Sequence, residues 1–402
     1  MIKRSYPITL LAFILCYSCS KSGDGNVVIP PVLLPPTLTI QPGTNITAYY
    51  NNTATFSWTT SGTLVSVNGV VYPSGTFTSP PLTVNTTYTV VASGSNGQIN
   101  TVQVNVTVIA PPSDIYAAGF DGTNIVYWKN GSTVNLAAGA GAATGIAVSG
   151  TDVYVCGYQN GAVYWKNSTR INLTGSALDS AHAITLSGAD VYVAGDDGAG
   201  GPGGPNAAVY WKNGLRTLLH SSAVPTSVKA ILVWGADVHA AGYIGDTAVY
   251  WKNGVRTNLS ANRAKANGIS ISGTDVYVVG EENGVGYYWK NGTRFFLVGP
   301  QLSIANAIHV TPGPSPHFYA VGSNYESKAI YWYDNTFTLL HTSPTEISGA
   351  TSISLFQPDL YLAGYVSNDK TAVYWRNGVR TTLATGTTAL PAIANSIVVV
   401  QK

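Results

Sequence analysis

A short alternation of apolar and polar residues recurs along the chain and predicts a β-hairpin in each copy. In the clearest copy, Val249 and Trp251 alternate with Tyr250 and Lys252, the period of two that is typical of a strand. An Asn-Gly pair follows directly and supplies the two positive-φ residues of a tight hairpin turn. The return strand then places Arg256 opposite Trp251, on the same side of the sheet.

Seven copies of this hairpin are present, and a tryptophan marks each one: Trp128, Trp165, Trp211, Trp251, Trp289, Trp332 and Trp375. Successive tryptophans are 37, 46, 40, 38, 43 and 43 residues apart. A repeat of about 40 residues, with strands between glycine turns, is typical of a four-stranded propeller blade. Five copies carry an arginine five residues after the tryptophan, and we expect each guanidinium to form a cation–π pair with its indole: Arg170, Arg216, Arg256, Arg294 and Arg380.

Two further strand types, A and B, complete the unit, with the tryptophan hairpin forming strands C and D. Strand B is typified by 152–157, and strand A, which precedes it, by 145–148. The copies are cyclically offset, because the first strand B, at 114–119, has no strand A before it. The last strand A, at 397–400, has no strand B after it. We therefore expect the C-terminal strand to insert beside 114–119 and to close a ring of seven blades over 114–402.

A separate β domain without the tryptophan repeat is predicted at 37–109. Its predicted strands are 37–40, 54–58, 65–68, 75–78, 87–92 and 99–108. Trp58 and the sequence Asn-Thr-Thr-Tyr ending at Tyr88 resemble a bacterial Ig-like sandwich, which implies a tyrosine corner at Tyr88 and a spacer role. The predicted fold class is all-β, an Ig-like β-sandwich followed by a seven-bladed β-propeller closed by the C-terminal strand.

The N-terminus has the features of an export signal over 1–18, with two basic residues before an apolar run that is too short for a permanent membrane span. Ser18 and Cys19, followed by a polar segment, resemble the lipobox of bacterial lipoproteins, although Cys16 stands where leucine is usual. The resemblance implies that Cys19 is acylated and that the proline-rich segment 19–36 is a tether. The expected location is the bacterial cell envelope, lipid-anchored at the outer membrane or cell surface. Cleavage without acylation, giving a soluble secreted protein, is the alternative.

Composition narrows the choice of partners. Only 9% of residues are charged and the net charge is +2, with no basic cluster for a phosphate backbone. No nucleic-acid partner is therefore expected, membrane contact is expected only through the lipid anchor, and the chain is expected to be a monomer. Cys156 is the one thiol outside the N-terminal segment, at a position where other copies have a small apolar residue. We expect it to be buried and unreactive.

The candidate binding face is the one on which the loops vary in length, since the A–B and C–D turns are short and uniform. A polar ring is predicted there from the residues that begin the seven A strands: Thr144, His182, Lys229, Asn267, Asn306, Thr351 and Asn395. Aromatic residues end several B strands just after a glycine: Phe120, Tyr158, Tyr243 and Tyr365. Acidic residues occupy the adjoining B–C loops: Asp121, Asp196, Asp197, Asp246, Glu281, Glu282, Glu326 and Asp369.

Polar groups beside aromatic platforms commonly hold a sugar or a peptide, so a glycan or protein ligand is predicted on this face. Each feature also has a structural explanation: a water-capped channel, packing between blades, or solvated acidic loops. The acidic loops offer oxygen atoms to Ca²⁺, but none has an Asp-x-Asp-x-Asp pattern. No cofactor or resident metal is therefore predicted, with Ca²⁺ as the minor alternative.

The sequence contains no recognisable catalytic constellation. The six histidines, His182, His220, His239, His309, His317 and His341, share no metal-ligand spacing. A binding protein is therefore favoured over an enzyme. The alternatives are a propeller hydrolase or lyase that acts on polysaccharide through paired carboxylates on the same loops, and a structural or adhesion component of the envelope.

The repeat as a whole, typified by Ala248 to Gly254 and continuing through Leu259 to the Gly268-Ile269 pair, resembles the bacterial extracellular HAF repeat. The resemblance covers 114–400. The asparagine that usually follows isoleucine in that family is missing from every copy here. The family implies a secreted propeller and no catalytic residues.

Overall fold

The computed structural model describes residues 34–174, 176–198, 206–299, 302–324, 326–340, 346–366, 370–387 and 389–402. All regular elements in these ranges are β-strands, and no helix long and apolar enough to cross a membrane occurs there. The predicted signal, the acylated Cys19 and most of the tether lie outside the described residues, as do Asp369 and His341. Two compact units form. The first holds the described residues up to Ile46 with 55–78 and 87–105, and the second holds 47–54, 79–86 and 106–402.

The N-terminal strands form two sheets. The strands are β1 (Leu38–Gln41), β2 (Asn45–Tyr49), β3 (Thr55–Thr60), β4 (Leu64–Val67), β5 (Val70–Val71), β6 (Thr76–Thr78), β7 (Thr86–Ser93) and β8 (Ile99–Ile109). One sheet has the order β1-β3-β6 and the other the order β2-β8-β7-β4-β5. Strands β2 and β5 were not predicted, because the two-residue β5 and the short, small-residue β2 carry too little alternation to be recognised.

Aromatic packing characterises the interior of this N-terminal region. Phe56 contacts Phe77 and Tyr88 at ring-centroid distances of 5.2 and 6.0 Å, and all three rings are buried. The Tyr88 hydroxyl makes no hydrogen bond to any described residue. The predicted tyrosine corner, which requires such a bond to the backbone, is therefore wrong, and Tyr88 packs as a core aromatic.

The remaining strands form seven four-stranded antiparallel sheets within the described residues, an all-β, propeller-like arrangement. Sheet 1 contains β9 (Ser113–Phe120), β10 (Asn124–Lys129), β11 (Ser132–Ala138) and the C-terminal β36 (Ile393–Gln401). Sheet 2 contains β12 (Ala142–Ser149), β13 (Asp152–Tyr158), β14 (Ala162–Lys166) and β15 (Thr169–Asn172). Sheet 3 contains β16 (Ser180–Ser187), β17 (Asp190–Asp197), β18 (Asn206–Lys212) and β19 (Leu215–Ser222). Sheet 4 contains β20 (Thr226–Trp234), β21 (Asp237–Ile244), β22 (Thr247–Lys252) and β23 (Val255–Ser260). Sheet 5 contains β24 (Ala264–Ser272), β25 (Asp275–Glu282), β26 (Val285–Lys290) and β27 (Thr293–Phe296). Sheet 6 contains β28 (Ser303–Val310), β29 (Phe318–Asn324), β30 (Ala329–Tyr333) and β31 (Thr336–Leu339). Sheet 7 contains β32 (Ser348–Phe356), β33 (Asp359–Val366), β34 (Thr371–Arg376) and β35 (Val379–Thr385).

Each tryptophan of the repeat packs against the preceding sheet. Trp251 of sheet 4 shares a core cluster with Tyr192, Ala194 and Ala208 of sheet 3. Trp128 of sheet 1 shares one with Tyr361 of sheet 7, and the other five tryptophans lie in equivalent clusters. All seven indoles are at most 1% exposed. The inter-sheet core is therefore built from one repeated large-against-small contact.

The free energy gained by burying each indole ring exceeds the free energy lost by burying its N–H group without a hydrogen-bond partner. Six of the seven indole nitrogens have no hydrogen-bond partner among the described residues, whereas Trp332 donates to the carbonyl of Val298 at 2.8 Å. An unpaired buried donor costs about 1–3 kcal/mol. Burying the 150–250 Å² of an aromatic side chain contributes roughly 4–6 kcal/mol. The net effect favours the packed tryptophan.

A polar corner fixes one end of each sheet. In sheet 4, Asn253 donates from Nδ2 to Asp237 Oδ1 at 2.7 Å, and its Oδ1 accepts the backbone N–H of Val238 at 2.8 Å. Lys252 lies 2.7 Å from the other oxygen of Asp237, and its hydrogen bond lowers the pKa of that carboxyl. Six sheets repeat this Asn–Asp corner. It explains why Asn-Gly and the aspartate of strand B recur together.

The predicted register of the hairpin is confirmed, but the predicted cation–π pair is wrong. Trp251 is paired with Arg256, and the other arginine-bearing copies have the same register. No described guanidinium lies over an indole. Arg294 instead lies 2.6 Å from Glu282 and 4.9 Å from the ring centroid of Tyr287, and Arg216 pairs with Asp197. The buried indole faces the preceding sheet, so it is not accessible to a side chain that remains in solvent.

A β-bulge interrupts the first strand of every sheet at the same place. In sheet 2, Ala143 pairs with Gly157 and Gly145 with Cys156, which leaves Thr144 without a partner. All seven A-type strands show the equivalent shift. A Cβ on the facing glycine of strand B would lie 1.8–2.0 Å from a backbone carbonyl oxygen in every sheet. The repeated glycine is therefore required by this close backbone approach.

Replacing Trp251 with alanine should lower the free energy of unfolding by about 3–5 kcal/mol, because it empties the contact between sheets 3 and 4. Urea or guanidinium unfolding would measure the change. Val255→Ala is the matched control in the same hairpin, since Val255 is 71% exposed and its truncation should change stability by no more than about 0.5 kcal/mol. Equal effects of the two substitutions would contradict the role assigned to the indole.

Candidate functional site

The seven residues of the polar ring line one cavity of about 220 Å³. Small residue–Ile pairs such as Gly145-Ile146 and Gly268-Ile269 form much of the rest of its wall. The sequence predicted that these positions meet, and the structure brings all seven together. Each of the seven is the unpaired residue of its strand's bulge, which the sequence did not reveal. The name ring cavity is used for this space below.

Five members of the polar ring donate a hydrogen bond to the next sheet. Asn306 donates from Nδ2 to the carbonyl of Ala350 at 2.8 Å, and Thr351 donates from its hydroxyl to the carbonyl of Ala394 at 2.7 Å. Thr144, Asn267 and Asn395 donate in the same way to the carbonyls of Ala181, Ala305 and Ala143. Each accepting carbonyl directly precedes the next bulged residue. The bulge frees a carbonyl, and the neighbouring side chain satisfies it.

His182 and Lys229 depart from this pattern. No side chain in the described chain donates to the carbonyls of Val228 and Ala266, which would be their acceptors. The His182 Nε2 atom instead lies 2.5 Å from Asp196 Oδ1, and the Lys229 Nζ atom lies 3.0 Å from His182 Nε2. These two positions have lost the structural hydrogen bond and form a charged sector.

The charged sector has a defined electrostatic arrangement. Burial lowers the pKa of His182 and the Lys229 charge adds to this effect, against the raising effect of Asp196. Burial also lowers the pKa of Lys229, opposed by the charge of Asp196. Burial acts to raise the pKa of Asp196, but His182, Ser227 and Lys229 together outweigh it and the pKa is lowered. Asp196 is therefore ionised, and a neutral His182 donates to it from Nε2.

Tyr243 is the aromatic residue closest to this sector. The ammonium nitrogens of Lys229 and Lys265 lie 5.7 and 5.4 Å from its ring centroid. Tyr158 is 40% exposed, whereas Phe120 packs partly buried against the core between sheets 1 and 2. Tyr365 lies over Gly349, where an added Cβ would be 2.8 Å from the ring. Tyr243 thus lies beside one member of the polar ring, Lys229.

The acidic residues divide into two groups. Asp197 and Glu282 are buried and form ion pairs with Arg216 and Arg294, so they support the sheets. Asp196 and Glu281 precede them and stand where four other copies have the predicted aromatic residue. Glu281 pairs in register with Lys265 across the strands, and both line a second cavity of about 440 Å³ with Asp246 and Arg263. This cavity will be called the side cavity.

Two residues of the sector were not anticipated from the sequence. Ser227 donates to Asp196 Oδ1 at 2.6 Å, and Lys265 reaches Tyr243. Both occupy the position two residues before the polar ring member of their strand. An alignment of the seven copies would have flagged Lys265, since the other copies have alanine, serine, glycine or isoleucine there.

No group of three or more potential metal-ligating side chains was found among the described residues. Asp121 accepts two hydrogen bonds from the backbone of its own turn, at Thr123 and Asn124. Cys156 is fully buried, and burial raises the pKa of its thiol to about 12. The arrangement at the ring cavity suits the binding of a polar ligand.

Comparison with known proteins gives distant structural similarity only. No family model matches the chain, and no curated protein matches it. The crystal structure of a nidogen/laminin complex is similar at 10% identity and a TM-score of 0.38, covering 71% of this chain and 98% of that chain. A DUF4784 family protein from Bacteroides caccae is similar at 10% identity and a TM-score of 0.29, covering 90% of this chain and 98% of that chain. Similarities this remote say nothing about function.

Replacing Asn306 with alanine should lower the free energy of unfolding by about 1–3 kcal/mol, because the carbonyl of Ala350 loses its donor. Asn306→Thr is the matched control, since Thr144 and Thr351 make the same contact through a hydroxyl. Chemical denaturation would measure both variants. Equal losses for alanine and threonine would show that the side-chain hydrogen bond is not what stabilises this position.

Proposed function

We propose that the second unit is a seven-bladed β-propeller closed by its C-terminal strand. Support comes from the pairing of β36 with β9 in sheet 1, and from the cyclic order of contacts between the inner strands. The tryptophan clusters follow the same cycle, since sheet 1 packs against sheet 7 through Trp128. The N-terminal β region acts as an Ig-like spacer in this proposal, supported by its two sheets.

The protein is further proposed to be a lipid-anchored component of the bacterial cell envelope, at the outer membrane or cell surface. The support is the sequence Ser18-Cys19 after a short apolar run, followed by a polar and then proline-rich segment. The first B strand begins at the end of its sheet that carries the Asn–Asp corners. The chain thus enters the propeller on the uniform face, and the ring cavity opens on the other face, available to a ligand.

The proposed function is binding of a glycan at the ring cavity. The observation that carries it is the departure of His182 and Lys229 from a hydrogen-bond pattern that the other five sheets maintain. Loss of a structural hydrogen bond lowers stability. Because the charged sector beside Tyr243 replaces that bond, we take the sector to have a function in binding. The seven ring residues in the cavity wall are polar, and none of the isoleucines that also line it is largely exposed, which favours a hydroxyl-rich ligand over an apolar peptide.

An enzymatic role has weaker support. Asp196 is engaged by His182 and Ser227, and the next acidic side chains, Asp197 and Glu282, are held in ion pairs with arginine. Glu281 and Asp246 line the side cavity and not the ring cavity. A structural or adhesion role would leave the departure at His182 and Lys229 without an explanation.

Changing Cys19 to serine should move the protein from the membrane fraction to the soluble fraction of the producing bacterium, because the acyl attachment site is lost. Fractionation and mass spectrometry of the N-terminus would measure this. Cys156→Ser is the matched control, since Cys156 is buried in the core and should leave the fractionation unchanged. An unmodified N-terminus on the wild-type protein would contradict the lipid anchor.

Glycan- and peptide-array binding by the purified protein tests the proposed function. Tyr243→Ala should weaken binding of the glycan hit by about tenfold or more, because the aromatic contact at the cavity is removed. Trp234→Ala is the control, since Trp234 is 47% exposed at the opposite end of sheet 4. Binding of a peptide with no glycan hit would favour a protein ligand, and turnover of the glycan would favour an enzyme. A folded protein that binds neither would refute the proposal.

A further inference from the structure

Two lysines at the ring cavity differ from the lysines of the repeat in their charge partners. In five sheets the lysine after the tryptophan lies 2.7–3.2 Å from the aspartate that begins or precedes strand B. Lys229 and Lys265 have no carboxylate within salt-bridge distance in the described part of the chain. Both ammonium groups nevertheless approach the same ring, that of Tyr243.

The environment of Lys229 makes this unusual. Its side chain is half-buried in the wall of the ring cavity, and the charge of Lys265 acts with burial to lower its pKa. An ammonium that is partly removed from water needs a counter-charge or several hydrogen-bond acceptors. The one polar contact of Lys229 is with His182, a neutral ring whose Nε2 is already directed at Asp196. Lys229 therefore lacks a partner of opposite charge at contact distance.

The nearby carboxylates do not fill this role. Asp196 Oδ1 accepts from both His182 and Ser227, at 2.5 and 2.6 Å. Glu281 is in register with Lys265 but forms no ion pair with it within the described residues, and burial raises its pKa, with Lys265 opposing that effect. Asp246 and Arg263 line the side cavity, and neither lines the ring cavity. The space between the two lysines thus remains suited to an external anion.

The remainder of the polar ring presents hydrogen-bond acceptors. Asn267, Asn306 and Asn395 each donate from Nδ2 to a backbone carbonyl of the next sheet. Their Oδ1 atoms accept no hydrogen bond from any described residue. Because all three side chains line the ring cavity, these oxygens are available to hydroxyl groups of a ligand.

We propose that the ring cavity binds an acidic sugar, with its carboxylate or sulfate group between Lys229 and Lys265 beside Tyr243 and its hydroxyl groups donating to the amide oxygens of the polar ring. This inference rests on the proposed glycan-binding function and specifies its ligand class. A carboxylate and a sulfate ester share the chemistry recognised here, which is a compact anion on a polyhydroxylated ring. The side cavity, lined by Lys265, provides room for the neighbouring sugar residue of the same oligosaccharide.

The test is calorimetric titration of the full-length protein with three oligosaccharides of equal length: a uronate oligomer, a sulfated oligomer and a neutral oligomer. The decisive variant is the double substitution His182→Asn/Lys229→Asn. It places asparagine at both positions, the residue that donates a hydrogen bond to the next sheet at three other positions of the polar ring. It should fold with at least wild-type thermal stability and bind the anionic oligomer at least about tenfold more weakly, since a hydrogen bond to a charged group is lost. Lys265→Gln should weaken binding in the same direction.

Lys252→Gln is the matched control, because Lys252 is a repeat lysine paired with Asp237 away from the cavity. It should leave affinity unchanged. Preference for the uronate or for the sulfated oligomer supports the proposal and identifies the anion. Equal affinity for the neutral oligomer, or full affinity in the double variant, overturns it. If the protein binds a neutral glycan and Tyr243→Ala abolishes that binding, the proposed glycan-binding function stands while the inference of an acidic sugar fails. If the protein binds no glycan at all, both the proposed function and this inference are refuted.

Discussion

Contact between a buried indole and the small residues of the preceding sheet is the interaction on which the second unit depends. A four-stranded antiparallel sheet buries too little apolar surface to be stable alone, so each sheet needs a neighbour on both faces. Trp251 provides this contact for sheets 3 and 4, and Trp128 provides it between sheets 7 and 1. The alanines opposite the indoles leave the space that the rings occupy. The register of the hairpin and the Asn–Asp corner hold each indole in position.

The bulge in the innermost strand follows from the same tight packing, and it creates the candidate site. A bulge leaves a carbonyl without a partner, and five sheets satisfy it with an asparagine or threonine from the neighbour. These five residues of the polar ring therefore have a structural role, through hydrogen bonds that the sequence did not predict. The seven copies act as internal references for one another, so that His182 and Lys229 stand out as departures with a different role.

Charge is distributed in two ways in this protein. The lysines and arginines of the repeat are largely paired at the sheet ends and contribute little to binding, because exposed ion pairs have small net energies. Lys229 and Lys265 instead carry charge without a carboxylate at contact distance, around one tyrosine ring. Unpaired charge that is partly buried destabilises the free protein, and an anionic ligand would relieve that cost on binding. This contrast favours recognition of an anion over a purely structural role.

The sequence by itself determined the local structure. The alternation around Trp251, the Asn-Gly turn and the opposition of Trp251 to Arg256 depend on strand period and turn geometry, which are properties of neighbouring residues. It also placed the seven ring residues at equivalent positions, so their meeting at one cavity was predictable. The direction in which the indole packs was decided only by the tertiary structure, and the predicted guanidinium contact failed for that reason. The hydrogen bond from Ser227 to Asp196 and the approach of Lys265 to Tyr243 join residues from different sheets. Such contacts depend on the twist and spacing of whole sheets, which no local pattern encodes.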